Sequence, residues 1–297
     1  MNQPVSAALS RRRLLTLMAL SPLLWRSASL HAAPVDSQRV VALEWLPVEL
    51  LIALGVTPLA VADTSGYRSW VGQPALPQSV VDLGLRTEPN LELLAQLKPS
   101  LMVYSSGFGP APEKIARIAP GFGVTFSDGR NPLNAARASI TALGARLGLE
   151  DRARAHLADF DGFIRQMAPR FAGRQRPVLL MSLLDPRHAL VIGQHSLFQQ
   201  VMDLLGIENA WQGEVNFWGS SVVGIERLAE IRNADVICFD HDNDTITRQV
   251  MATPLWQALP FVRQRRFWRA PPVWFYGATL SAMHFIRLID KIAGGRA

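Results

Sequence analysis

Apolar and polar positions in the first half of the chain follow two recurring periods, which together predict strand, helix and strand. The run "RVVAL" at 39–43 is apolar and β-branched, "PVELLIALG" at 47–55 has helical spacing between a proline and a glycine, and "PLAVA" at 58–62 is apolar again. A second strand, helix and strand follow at 79–84, 90–99 and 101–105, with Asn90 as the helix N-cap. The patterns predict two βαβ units.

The same order returns after residue 176. Strands are predicted at 177–184, 234–240 and 263–270, and helices at 195–206, 224–233, 254–260 and 279–295. Alternating strands and helices indicate sheets with helices on both faces. We therefore expect an α/β protein with two Rossmann-like lobes, at residues 34–148 and 172–297, and a ligand cleft between them.

The segment between the lobes has no convincing strand. From Leu149 to Phe171 its apolar residues have helical spacing, with acids early and arginines late, which favours one long connecting helix. Two helices of a single lobe are the alternative interpretation. A single helix would act as a stiff connection, so the cleft should change shape only slightly.

The N-terminus is typical of an export signal. Arg11, Arg12 and Arg13 precede an apolar run that ends at Trp25, and small residues follow around Ala33. This pattern predicts a twin-arginine signal peptide at residues 1–33 and a periplasmic protein, with a buried N-terminal helix as the alternative. The apolar run is shorter than the roughly 20 residues that a membrane-spanning helix needs.

Removal of residues 1–33 changes the charge balance. Four of the 30 basic residues and none of the 24 acidic residues lie in this segment, so the remainder carries 26 basic and 24 acidic side chains. A net charge of +2 gives no support to nucleic-acid binding. The single cysteine, Cys238, excludes intrachain disulfides and cysteine clusters.

Motifs of catalysis are missing from the sequence, which has no GxSxG, P-loop, HExxH or GxGxxG after a strand. The densest polar cluster is "FDHDND" at 239–244, which lacks the glycine and glutamate of a calcium loop. A solvated turn is the favoured interpretation, and a metalloenzyme centred on Asp240, His241 and Asp242 is the alternative. We expect no catalytic residues, no resident metal and no cofactor.

Aromatic residues beside Gly, Ser and Asn are the stronger signal. They occur in "SGYRSW" (65–70), "VYSSGFGPAPE" (103–113), "NFWGSS" (216–221) and "VWFYGA" (273–278), each near a predicted strand end, where open α/β sheets bind ligands. The lobes could therefore face each other across an aromatic pocket, although each ring could instead belong to a core. The residues concerned are Trp70, Tyr104 and Phe108 of the first lobe and Trp218, Trp274 and Tyr276 of the second. Phe217 is expected to pack inward.

Several longer strings resemble one family over essentially the whole chain. "DLGLRTEPNLELL", "DPRHALVIG", "NAWQGEVNFWGS", "ATPLWQALPFV" and "VWFYGATLSAMHF" are similar to the periplasmic iron(III)-hydroxamate siderophore-binding proteins. The resemblance implies two α/β lobes joined by a long helix, and delivery of a ferric siderophore to an inner-membrane ABC permease. A binding protein for another chelate, such as a catecholate siderophore or a corrinoid, is the alternative within this class.

The resemblance also implies roles for individual residues. Arg86 matches the arginine that hydrogen-bonds the hydroxamate oxygens, and Glu113 and Glu226 match the acids that dock on the permease, although glutamates that begin helices often only complement the helix dipole. Phe108 stands where the family has a tyrosine, and Tyr104 where it has a tryptophan. The other implied pocket residues are Trp70, Leu190, Asn216, Trp218, Ser220, Trp274 and Tyr276.

The chemistry of the expected ligand agrees with such a pocket. Three hydroxamates and one ferric ion form a nearly neutral chelate whose metal is already saturated with oxygen. A protein that holds it needs aromatic surface and one arginine, not a cage of carboxylates or histidines. We expect the protein to bind as a monomer.

Overall fold

The computed structural model describes residues 35–241 and 243–294. The predicted signal peptide at 1–33 and Asp242 lie outside the described residues. The first sheet contains five strands in the order β3-β2-β1-β4-β5, and every neighbouring pair is parallel. Its strands are β1 (Val40–Ala42), β2 (Ala60–Val61), β3 (Val81–Asp82), β4 (Leu101–Ser105) and β5 (Gly121–Val124).

Helices connect the parallel strands of this first lobe, as the alternating pattern predicts. They are α1 (Trp45–Ala53), α2 (Thr64–Trp70), α3 (Leu91–Leu97), α4 (Pro112–Ala116) and α5 (Pro132–Leu147). Asn90 caps α3 as expected, since its side chain accepts a hydrogen bond from the Leu93 N–H. Helix α2 was not predicted, because "TSGYRSW" combines glycine and serine with aromatic residues and has no clear apolar period.

The direction in which the first sheet grows reverses between β1 and β4. The chain passes outward from β1 to β2 and β3, and then returns to place β4 on the other side of β1. In open α/β sheets, the crevice beyond the carboxyl ends of two such strands is the usual ligand site. Glu44 and Ser105 lie at these two ends.

The second sheet is mixed, with strand order β10-β9-β6-β7-β8. Strand β7 runs antiparallel to both β6 and β8, whereas β9 is parallel to β6 and β10. The strands are β6 (Val178–Leu183), β7 (His188–Ile192), β8 (Ser220–Gly224), β9 (Asp235–Phe239) and β10 (Phe267–Ala270). The sequence did not predict β7 or β8. Because β8 begins at Ser220, the last two residues of the "NFWGSS" segment, Ser220 and Ser221, lie in a strand and not in a loop.

The helices predicted at 195–206, 254–260 and 279–295 are present, the helix at Asp244–Met251 was not predicted, and residues 224–233 differ from the prediction. There the chain forms a short 3-10 helix, Ile225–Glu230, which ends before Ile231 takes an extended conformation. The described α-helices of this lobe are α7 (Leu197–Leu205), α8 (Asp244–Met251), α9 (Pro254–Ala258), α10 (Pro260–Arg263) and α11 (Thr279–Gly294). None of the described helices is long and apolar enough to span a membrane.

A single α-helix, α6 (Glu150–Met167), joins the two lobes. Gly148, in the left-handed conformation at φ 67°, separates it from α5, and a 3-10 turn, Ala168–Phe171, follows it. The structure therefore has two α/β lobes connected by one long helix, as predicted. The helix ends at Met167, before the predicted end at Phe171. Pro169 cannot donate the backbone hydrogen bond that would continue the helix.

The two lobes also contact each other directly beside this helix. Trp274 and Ala278, which follow the last strand of the second lobe, are buried in the apolar core of the first lobe. Glu49 of α1 is buried and accepts hydrogen bonds from the Ser281 N–H and Oγ, both at 2.7 Å. Burial raises the pKa of the Glu49 carboxyl group. The seam between the lobes is thus apolar packing around one buried acid.

Candidate functional site

Two adjoining cavities occupy the cleft between the lobes. The main cavity, of about 390 Å³, is lined by Glu44, Leu46, Arg86, Ser105, Ser106, Phe108, Phe126, Trp218, Trp274 and Tyr276. The side cavity, of about 380 Å³, is lined by Trp45, Asp63, Gly66, Trp70, Arg86, Leu190, Trp274, Phe275 and Tyr276. Arg86, Trp274 and Tyr276 line both. Six of the residues predicted to line a pocket surround the main or side cavity from both lobes, and Arg86 makes a seventh.

Arg86 lies between the two cavities and is held by Glu44 and Trp45. Its Nη1 donates to Glu44 Oε1 at 2.8 Å, and its Nε lies 3.8 Å from Asp63 Oδ2. The guanidinium carbon is 3.5 Å from the centre of the Trp45 ring. The Arg86 side chain is 23% exposed, so the guanidinium is fixed in orientation and still reaches the cleft. A planar donor group held in this way suits recognition of ligand oxygens.

Glu44 is the residue that fixes Arg86, and the sequence reasoning missed it. It lies two residues after the end of β1 and is 6% exposed. Its second oxygen accepts from the Leu46 N–H at 2.8 Å, at the start of α1, and from Ser105 Oγ at 2.9 Å. These bonds satisfy a buried carboxylate at the switch point of the sheet. An acid immediately after the apolar run at 39–43 was the signal that could have revealed it.

Aromatic rings form most of the opposite wall of the main cavity. Trp274 and Tyr276 lie edge to face with centroids 5.1 Å apart, and Trp218 is 5.8 Å from Tyr276. Phe126 of the first lobe lies 5.5 Å from Trp218 across the cleft. Because Trp218 is 40% exposed, it can lose considerable apolar area to a bound ligand. Phe108 lies on the first-lobe side, with its ring centre 5.3 Å from the Arg86 guanidinium carbon.

Trp70 and Leu190 line the side cavity, on the far side of Arg86. Trp70 comes from the first lobe and stacks on His241 of the second, with the ring centres 4.1 Å apart. Leu190 belongs to β7 and is 9% exposed. The predicted pocket residues are therefore divided between two compartments.

Asn216 and Ser220 were predicted to contact the ligand, but they stabilise a turn. Asn216 Oδ1 accepts from the Trp218 N–H at 2.8 Å and from the Ser220 N–H at 3.3 Å, and Ser220 is completely buried. Ser220 Oγ lies 3.1 Å from the Tyr276 hydroxyl. Neither residue lines the cavities, since the turn uses their polar groups. Together they orient Trp218 and Tyr276.

Tyr104 and Phe217 have orientations that differ from those predicted. Tyr104 does not line either cavity, because successive β4 residues face opposite sides of the sheet and its ring packs over Gly121 and Gly123. Phe217 was expected to pack inward and is 54% exposed. It occupies a turn with Trp218, where the alternation of a strand does not apply.

The described acids and the histidine of the "FDHDND" segment contact other side chains. Asp240 accepts a hydrogen bond from Arg269, as does Asp244, and His241 lies 3.0 Å from Ser182 Oγ while it stacks on Trp70. Across residues 35–241 and 243–294, no group of three or more His, Cys, Asp or Glu side chains is placed to hold a metal. Asp242 lies outside the described residues.

The two acids that the resemblance assigns to docking are both exposed. Glu113 lies in the first turn of α4 in the first lobe, and Glu226 lies in the first turn of the 3-10 helix in the second lobe. Each lobe thus presents one of them to solvent. Their position at helix starts also fits a favourable interaction with the helix dipole.

The fold and cleft define a class of protein. Residues 40–273 match the periplasmic binding protein family, and the chain belongs to that family. It is 62% identical over 290 residues to the iron(3+)-hydroxamate-binding protein FhuD of Escherichia coli (strain K12), an alignment that covers 97% of this chain and 98% of the relative.

Solved structures agree with this assignment. The Fe3+-Desferal-bound siderophore-binding protein FhuD from Vibrio cholerae has a TM-score of 0.79 and 28% identity, and the match covers 86% of this chain and 97% of that protein. The triscatecholate siderophore-binding protein FeuA from Bacillus subtilis has a TM-score of 0.70 at 16% identity, over 87% of this chain and 92% of that protein. At that identity the second match shows a shared fold alone.

Proposed function

We propose that this protein binds ferric hydroxamate siderophores in the periplasm and delivers them to the permease of an ABC importer. The similarity to the two FhuD proteins supports this assignment. The observation that carries it is Arg86, a guanidinium fixed by Glu44 and Trp45 at the wall of an aromatic cavity.

The cavity matches the chemistry of a ferric trihydroxamate. The chelate has no open coordination position, so a protein recognises its outer oxygens and its carbon scaffold. Arg86 supplies charge-assisted hydrogen bonds to the oxygens, while Trp218, Trp274 and Tyr276 supply apolar area. Because rings tolerate varied scaffolds, we expect several hydroxamates to bind.

A titration followed by tryptophan fluorescence tests the proposed ligand class. Trp218 and Trp274 line the main cavity, so a ferric chelate bound there should quench their emission. We expect saturable quenching by ferrichrome at about micromolar concentration or below, and none by a ferric tris-catecholate or a corrinoid at the same concentrations. Saturable binding of the catecholate or corrinoid alone would assign the cleft to another chelate.

Delivery to the permease would use Glu113 and Glu226. These exposed acids lie on different lobes, so a permease with two basic sites could contact both. Glu113→Lys and Glu226→Lys should abolish uptake through a reconstituted permease and leave siderophore affinity unchanged. Glu92→Lys, also in the first turn of a first-lobe helix, is the matched control and should transport normally. Normal transport by both docking variants would refute this role.

A further inference from the structure

The charges in the cleft do not balance for a neutral ligand. All charged residues that line the two cavities come from the first lobe: the guanidinium of Arg86 and the carboxylates of Glu44 and Asp63. Together they carry one net negative charge. Arg86 forms its hydrogen bond with Glu44 at 2.8 Å, and its 3.8 Å separation from Asp63 exceeds hydrogen-bond distance. One carboxylate in the cleft therefore remains available to a ligand.

The backbone conformation of Asp63 and a helix cap fix the position of its carboxylate. It adopts the left-handed conformation, at φ 57° and ψ 62°, and caps α2 by accepting from the Gly66 N–H at 2.8 Å through Oδ1. The second oxygen, Oδ2, receives no hydrogen bond from the described residues. The side chain is 32% exposed and borders the side cavity.

Gly66 gives the carboxylate the space that it occupies. A Cβ atom at position 66 would lie 2.3 Å from Asp63 Oδ2 and 2.7 Å from Cζ2 of Trp45. Only glycine allows the carboxylate and the indole to lie together against the α2 backbone. The side cavity thus joins an anionic oxygen to indole rings at its walls.

The composition of the side cavity points to a cation. Its lining includes Asp63, three indole rings and Arg86, whose guanidinium forms its hydrogen bond with Glu44 and not with Asp63. The indoles belong to Trp45, Trp70 and Trp274, and the Trp70 and Trp274 planes meet at 84°. Aromatic faces and a carboxylate are the groups that bind an alkylammonium. Resting on the proposed function, we propose that the side cavity binds the ammonium group of a cationic ferric hydroxamate, with Asp63 as the specificity-determining residue.

A matched set of three ligands tests this inference. Ferrioxamine B is a linear ferric trihydroxamate that ends in a primary ammonium, its N-acetyl derivative has the same chelate without the charge, and ferrichrome is cyclic and has no ammonium. We expect the unaltered protein to bind ferrioxamine B at least about fivefold more tightly than the acetylated form. The preference should shrink as salt is raised, since it depends on charge.

Asp63→Asn should abolish the preference for the ammonium. Asparagine keeps the helix cap and tolerates the left-handed conformation, so only the charge changes. The affinities for ferrioxamine B and its acetylated form should become equal, and that for ferrichrome should change by less than about twofold. Glu88→Gln, which removes an exposed acid near Arg86, is the control and should preserve the preference.

The outcomes distinguish this inference from the proposed function. Equal affinities of the unaltered protein for both linear ligands would overturn the ammonium site and leave hydroxamate binding intact. A uniform loss for all three ligands in Asp63→Asn would overturn it too, and would assign Asp63 to the positioning of Arg86. Failure of every hydroxamate to bind the unaltered protein would overturn both proposals.

Discussion

The two walls of the cleft differ in chemistry. The first lobe provides every charged residue that lines the cavities, whereas the second lobe provides Trp218, Trp274, Tyr276, Phe275 and Leu190, none of which is charged. The difference follows from the folds. A parallel sheet with a switch point gathers polar groups at its strand ends. The second lobe presents Leu190 within β7, Trp218 before β8 and the segment that follows β10.

This difference implies that one wall orients the ligand and the other buries its apolar surface. The charged wall fixes where ligand oxygens lie, because Glu44 and Trp45 restrict the movement of Arg86. The aromatic wall contributes apolar burial, which depends less on direction. Changes at Arg86 or Glu44 should therefore weaken the binding of every hydroxamate, a change at Asp63 should alter selectivity, and changes on the aromatic wall should affect affinity alone.

The largest effect is expected from Arg86→Ala. The variant removes the charge-assisted bonds to the ligand and leaves Glu44 buried without its cationic partner. The affinity for ferrichrome should fall by about 2–4 kcal/mol, roughly 30- to 1,000-fold, in a fluorescence titration. Arg263→Ala, an exposed arginine of the second lobe, should bind as the unaltered protein does. A loss of affinity below about threefold for Arg86→Ala would show that Arg86 does not bind the ligand oxygens.

Trp218→Ala should weaken binding less. The indole is 40% exposed and lines the main cavity, so its loss removes burial on binding with little change in the core. We expect a cost of about 1–2 kcal/mol that is similar for all hydroxamates, measured by calorimetry. Phe217→Ala is the matched control, because Phe217 is adjacent, more exposed and absent from both cavity walls. An equal effect of the two variants would contradict the proposed wall.

Glu49→Gln tests the seam between the walls through its pH dependence. Burial raises the pKa of Glu49 from its ordinary value of 4.5, so the folded state holds the proton more tightly than the unfolded chain does. Its contribution to stability is complete below pH 4.5 and decreases as pH rises through the folded-state pKa. Glutamine can keep both hydrogen bonds to Ser281, so the variant should lose this decrease in denaturant melts. Glu150→Gln, which changes an exposed acid, is the control and should melt with the same pH profile as the unaltered protein. An equally unchanged profile for Glu49→Gln would show that Glu49 does not titrate in this way.

The smallest effect is expected from Phe108→Tyr. This change adds a hydroxyl at the position where the family has a tyrosine, on a ring that lines the main cavity near Arg86. One additional hydrogen bond should tighten ferrichrome binding by about 0.5–1.5 kcal/mol. Weaker binding of the tyrosine variant would indicate that the cavity in this chain is adapted to an apolar residue at this position.

The sequence predicted the elements that apolar periodicity encodes. It identified the connecting helix and most of both sheets, but it missed β5, β7 and β8. Strands β6, β7 and β8 pair antiparallel and form no βαβ unit, so the alternating strand and helix pattern did not reveal β7 and β8. It identified Arg86 and the rings by resemblance and by their position near strand ends.

The details of the site depend on tertiary contacts that spacing does not encode. Glu44 and Asp63 became visible as cleft residues only when β1, α2 and the loop that carries Arg86 were brought together. The resemblance implied that Asn216 and Ser220 line the pocket, and their hydrogen-bond partners within the turn could not be seen in the sequence. A neutral chelate needs no carboxylate, so its chemistry gave no reason to expect these two acids in the cleft.

The most direct test of the central claim is a crystal structure of the protein with a ferric trihydroxamate. We predict that Arg86 nitrogen atoms lie about 2.7–3.2 Å from hydroxamate oxygens, while Trp218, Trp274 and Tyr276 contact the carbon scaffold. A chelate bound elsewhere, or one in the cleft with Arg86 turned away to solvent, would contradict it.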